Sequence, residues 1–112
     1  MNPNVAQQYL RTRVLTATPE QLQLMLFDGA VNFGEKARLA LEKKNYEDSY
    51  NAISRMQKIL MELAGALKRE IAPELCANLT SLYLYAYKKL IAASTKHDIA
   101  ALDEAIHILR YQ

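Results

Sequence analysis

The chain has 112 residues, of which 51% are apolar and 23% charged, with 14 Lys and Arg against 12 Asp and Glu. That length gives one domain with a real core, and that balance excludes a disordered, solvating chain. A net charge of +2 is too small for the electrostatic footprint of a nucleic-acid binder, and the single Cys excludes an internal disulfide or a cysteine metal knuckle.

Three Gly and three Pro leave few turns, which favours long helices over a sandwich or barrel. The polar stretch Met1 to Gln8 lacks the apolar core of a signal peptide, and no run approaches 18 apolar residues. A cytoplasmic chain without membrane insertion is the expectation. Residues 1–18 hold Arg11 and Arg13 and no acid, whereas residues 19–112 hold 12 basic and 12 acidic side chains. Residues 1–17 therefore read as an N-terminal arm and residues 18–112 as a single-domain body. Tyr9, Leu10, Val14 and Leu15 are apolar in that otherwise polar arm. Either the terminus frays, or the arm lies across uncovered apolar surface and moves aside for a partner.

Thr18-Pro19-Glu20-Gln21 opens the first body helix: Thr18 is a good cap, Pro19 fits the first helical position, and Gln21 can complete a capping box. Leu22, Met25, Leu26, Phe33, Ala37, Ala40 and Leu41 recur at helical spacing, which predicts a helix to about Lys43. Asn45 caps a second, with Ile53, Met56, Leu60, Leu63 and Leu67 as its seam. Pro73 restarts the chain, and Leu75, Leu79, Leu82, Ala86, Leu90 and Ala93 form a third seam. Asp98 caps a fourth helix with Ile99, Leu102, Ile106 and Leu109 inward. Short links force consecutive helices to be antiparallel neighbours, so the expected fold is all-α: an antiparallel up-down-up-down four-helix bundle with an N-terminal arm. Its last helix has only about a dozen residues, so either part of the groove is left uncovered or the chain has been shortened.

The apolar content exceeds what one stripe per helix requires. Residues Ala77 to Tyr87 carry no charge, and at about 100° per residue Tyr83 and Tyr87 share a face while Tyr85 points almost oppositely. Leu84 and Ile91 add a second stripe there, and Leu24, Phe27 and Val31 form another on the first body helix. Contiguous exposed apolar surface marks a partner site, and the dominance of Tyr, seven residues against two Phe, suits one.

Catalytic chemistry is sparse. Glu104-Ala105-Ile106-His107 has the Glu-x-x-His spacing of di-iron bundles, but His97, the other histidine, has Ser94 three residues before it, so the required second motif is missing. Neither histidine sits in mid-helix as a phosphotransfer histidine would. Cys76 reads as a buried, inert thiol, and Gly29 and Gly34 as sites of close helix packing rather than phosphate loops. No catalytic residue, cofactor or metal site is expected.

Tyr9, Val14 and the run Thr16-Ala17-Thr18-Pro19-Glu20-Gln21-Leu22 leading into Leu24-Met25-Leu26-Phe27-Asp28-Gly29-Ala30 resemble the flagellar secretion chaperone (FliS) family. Tyr46, the Asn78-Leu79 to Leu82-Tyr83 stretch with Tyr87, Lys96-His97-Asp98, and Ala101-Leu102-Asp103-Glu104 agree with it. The resemblance implies a four-helix bundle that holds the disordered C-terminal segment of newly made flagellin in the cytoplasm. It further implies prevention of premature polymerisation and delivery to the flagellar type III export apparatus. On that reading Tyr9, Leu10, Val14, Leu24, Phe27, Val31, Leu84, Tyr85, Tyr87 and Ile91 bind the partner, with export-gate components as further partners. A monomer or weak homodimer is the expected state. A helical phosphotransfer or metal-binding bundle and a self-associating structural module are the alternatives. Family members usually carry a longer final helix.

Overall fold

A computed structural model of the chain describes residues 3–111, and all of its regular structure there is helical, in five segments with no strand among the described residues. They are α1 (Pro3–Thr16), α2 (Pro19–Glu42), α3 (Tyr46–Gly65), α4 (Pro73–Lys96) and α5 (Ile99–Arg110).

The caps fall where the side chains direct them. The Gln21 amide donates to Thr18 Oγ1 at 3.1 Å and the Thr18 amide donates to Gln21 Oε1 at 2.9 Å, so the box is closed in both directions. The Asp48 amide donates to Asn45 Oδ1 at 3.4 Å, and the Ala101 amide donates to Asp98 Oδ1 at 3.1 Å. At α4 no side chain caps the helix, and Pro73 alone sets the start. Lys44 and His97 adopt left-handed backbone, with φ of 59° and 55°, which ends α2 and α4 abruptly enough for the next cap to follow at once. His97 is further fixed by its ring, stacked at 3.6 Å and 1° on Tyr46 at the start of α3.

Helix α2 packs on α3, α3 on α4, α4 on α5, and α5 returns to α2, which closes a four-membered ring around one core. Ile53, Met56, Leu60, Leu63, Leu90 and Leu102 are its largest fully buried apolar side chains. Gly34 permits the closest approach. A Cβ there would lie 2.6 Å from Ile106 Cγ1 and 3.2 Å from Met56 Cε, so only glycine lets α2, α3 and α5 meet at this depth. Arg38 forks onto Asp103 at 2.7 and 3.3 Å and also holds Glu42, while Arg110 holds Glu35. Numbers fall along α2 as they rise along α5, so the two helices run antiparallel.

Two expectations change. The α4 seam is Cys76, Tyr83, Ala86, Leu90 and Ala93, flanked by half-buried Leu79, whereas Leu75 and Leu82 are exposed. The observed spacing of 3, 4, 3, 4 and 3 is a strict seam turned into the core, and Leu75 lies beside it on an exposed face. Leu22 on α2 is likewise exposed. Twelve residues of α5 span about 18 Å, against about 36 Å for the 24 residues of α2 or α4. The arm is the second change. It is a helix rather than a frayed end, and Tyr9, Leu10, Val14 and Leu15 are exposed instead of lying across the body. None of the extensive interfaces involves α1, and the radius of gyration of 15.1 Å exceeds the about 13 Å of a compact chain this long. The cause is in the sequence: Val5 and Tyr9 point one way and Leu10 and Val14 the other, so α1 has no single stripe to bury.

Candidate functional site

The apolar surface singled out in the sequence is distributed around the helical body. Leu24 is 64% exposed, Leu84 56%, Tyr85 47% and Ile91 44%, whereas Phe27, Val31 and Tyr87 are half-buried against the core. Tyr83, which shares a face with Tyr87, is a core residue, and its burial pushes the phenol pKa above the ordinary 10.0.

These side chains line separate grooves. Leu84 and Tyr87 meet Leu60, Met61, Ala64, Thr80 and Tyr83 in an almost wholly apolar groove of about 300 Å³ between α3 and α4. Thr80 Oγ1 is buried at its floor and has no hydrogen-bond partner among the described residues. Phe27 and Val31 line a second groove with Asn32, Leu109 and Arg110, at the point where α5 runs out against α2. Leu24 lies in a third, with Arg13, Thr16, Gln21 and Asp28, at the α1–α2 junction. Tyr85 faces α5 beside His107 and Ile108, donates its hydroxyl to Glu104 Oε2 at 2.8 Å, and lies under the Lys89 ammonium at 5.3 Å. Lys89 in turn reaches Glu104 at 3.5 Å, and that carboxylate, with Tyr85, raises the lysine pKa. Tyr9, Leu10 and Val14 stay on α1, and Ile91 stands on the outer side of α4. The predicted residues therefore form a broken band rather than one patch.

Met61 and Ala64 were missed by sequence reasoning, although they complete the Leu84–Tyr87 groove. Met61 follows Leu60 of the α3 seam, and Ala64 lies one turn further on, so both flank the seam on the α4 side. A 63% exposed Met beside a seam is a legible signal, because Met is suited to adaptable surfaces.

The catalytic alternatives gain nothing from the geometry. Glu104 of the Glu-x-x-His pair is taken by Tyr85 and Lys89, and no group of three or more His, Cys, Asp or Glu that could hold a metal ion occurs among the described residues. His97 is stacked at a helix junction, and Cys76 is a buried free thiol. No described helix is long and apolar enough to cross a membrane.

Comparison with known proteins gives a consistent result. The family described as "Flagellar protein FliS" matches residues 1–111. The chain is 37% identical over 103 residues to the flagellar secretion chaperone FliS of Bacillus subtilis, covering 92% of this chain and 74% of that protein. It is 34% identical over 105 residues to the FliS chaperone of Salmonella typhimurium, covering 93% and 78%. With the Escherichia coli FliS chaperone it shares 30% identity over 106 residues, 94% of this chain and 78% of the relative. With a family match that runs through all five helices and relatives this similar over most of their length, the chain belongs to the FliS family of flagellar secretion chaperones.

Proposed function

We propose that this chain is a cytoplasmic export chaperone that holds the C-terminal segment of flagellin, keeps it from polymerising, and assists its delivery to the flagellar type III export apparatus. Its body is read as an antiparallel four-helix bundle, residues 18–112, preceded by an arm over residues 1–17. The observation that carries the reading is the broken apolar band, Leu24, Phe27 and Val31 on α2 with Leu84, Tyr87 and Ile91 on α4, in a chain whose relatives are named flagellar secretion chaperones.

A band of separate grooves suits an extended client that folds as it binds. Each groove takes one short apolar stretch, and the client crosses the polar ridges between them. Ordering the client uses much of the contact energy, so the affinity is moderate for the area covered, which permits release at export. Exposed Tyr9, Leu10 and Val14 on α1 lie before the Leu24 groove and extend the band to the arm. Export-gate components are further partners on this reading, and no catalytic step belongs to it.

The test is calorimetric titration of the chain with a flagellin C-terminal peptide, with solution mass and circular dichroism measured alongside. The expected result is a 1:1 complex in which the peptide gains helical signal. Leu24→Ser with Leu84→Ser removes the most exposed members of both stripes without touching the core, and weakens binding at least about tenfold at an unchanged unfolding midpoint. Unchanged affinity in that double variant would overturn the assignment of the stripes. A stable dimer that ignores the peptide would replace the client with a second copy of the chain. Deleting residues 1–15 weakens binding if the arm contacts the client and strengthens it if the arm competes.

A further inference from the structure

The groove between the C-terminal half of α2 and the N-terminal half of α3 lies outside the band described above. It has a volume of about 440 Å³ and an apolar base of Phe33, Ala40 and Ala52 with exposed Leu39 beside it. Three cations stand around that base: Lys36, Lys43 and Arg55. Two converge on one ring, with Lys36 Nζ 5.6 Å and the Arg55 guanidinium 5.3 Å from the Phe33 centroid.

The charge here is uncompensated for a structural reason. The carboxylates of this half of α2, Glu35 and Glu42, are turned toward the α5 side, where Arg110 and Arg38 hold them. Asp48 is the one acid of the groove, and the Asn45 side-chain Nδ2 donates to its Oδ2 at 2.7 Å. No ion pair reaches Lys36, Lys43 or Arg55 among the described residues. Three positive charges against one occupied carboxylate give this groove a local excess of +2 beside an apolar floor, within residues 19–112, whose charges sum to zero. Scattered surface cations are separated by their counter-charges, and these are not.

We propose that this α2–α3 groove docks an acidic peptide segment that carries an apolar side chain. The apolar side chain rests on Phe33, Leu39 and Ala52, and flanking carboxylates bridge Lys36, Lys43 and Arg55. A fixed guanidinium takes a carboxylate in two hydrogen bonds, which orients the segment along the groove. A bare anion would use the cations and leave the apolar floor wet, so the arrangement favours a peptide over a nucleic acid or an anionic membrane. The proposal stands independently of the flagellin reading, because the two surfaces share no residue.

The experiment is amide chemical-shift mapping on the full chain, titrated with a blocked peptide of pattern Asp-Leu-Asp-Phe-Glu-Glu and with its Asn/Gln counterpart. Shifts centred on α2 and α3 around Phe33 are expected for the acidic peptide, weakening as salt rises from about 50 to about 300 mM, and no saturable shift for the neutral one. Lys36→Glu with Arg55→Glu weakens binding at least about tenfold, and Lys36→Gln with Arg55→Gln weakens it in the same direction. Both pairs are exposed, so the thermal midpoint is retained. Equal binding of the neutral peptide, shifts centred on Leu84, or unchanged affinity in the variants would overturn the proposal. Saturable shifts at Lys36 and Arg55 from phosphatidylserine vesicles or an oligo-dT strand, without any from the acidic peptide, would overturn it in favour of those ligands.

Discussion

The two ends of the helical body are built from the same helices but on different terms. Around Gly34, Met56, Leu90 and Leu102 all four of α2–α5 are present, and every large apolar side chain that faces inward is buried. Toward Pro19, Gly65 and Pro73, α5 has already ended near Phe27 and Val31, and Leu22, Leu24 and Leu75 are left exposed. What differs is supply: an apolar stripe becomes core only where another helix faces it.

That comparison is open to attack by mutation. The largest expected effect is at the closed end, where Leu102→Ala or Leu90→Ala costs about 2–5 kcal/mol by urea unfolding, since both are wholly buried. Leu75→Ala at the open end costs less than about 1 kcal/mol. Equal losses would mean that the open end is packed in solution.

The glycines give the next largest contrast. Gly34→Ala destabilises by about 1–3 kcal/mol, because its methyl group meets a branched Ile106 that cannot swing clear of α2. At Gly29 the nearest atom is Ile59 Cδ1 at 3.6 Å, an ordinary contact, so Gly29→Ala is neutral or stabilises by up to about 1 kcal/mol through helix propensity. Thermal unfolding of the two variants side by side decides this. Of similar size, Thr18→Ala costs about 1 kcal/mol by opening both bonds of the capping box.

The smallest effect concerns pH. Tyr83 is buried where α3 meets α4, and its folded pKa lies above 10.0 while the unfolded chain titrates near that value. Its contribution is fully present below pH 10 and is lost as pH rises through the folded pKa, because the unfolded state gives up the proton first. Tyr83→Phe therefore flattens the alkaline limb of the stability curve and leaves the neutral range nearly unchanged. A limb unaltered by the substitution would place the alkaline loss elsewhere.

Much of this was legible in the residue order. The capping box at Thr18, the caps Asn45 and Asp98, the restart at Pro73 and the α3 seam are local signals, set by hydrogen bonds and spacing within one or two turns. The band members Leu24, Leu84 and Ile91 were legible as surplus apolar residues, since one face of a helix cannot hide two stripes. The α4 seam was misread by one position because Leu75 and Leu82 are more apolar than Cys76 and Tyr83. Only the orientation of α4 toward α3 and the reach of α5 select between the two registers.

The sequence by itself determined the four helices of the body, their ends, the inward faces of α3 and α5 and the family to which the chain belongs, because these depend on near neighbours and on the order of residue types along the chain. Tertiary structure decided which of those faces found a partner. It divided the apolar band among separate grooves, set α1 apart from the body, seated Tyr83 in the core, and left three cations around Phe33 without their carboxylates. The grooves, the place of Tyr83 and the freed cations depend on how α2, α3, α4 and α5 meet, a relation between residues far apart in the chain that periodicity does not encode.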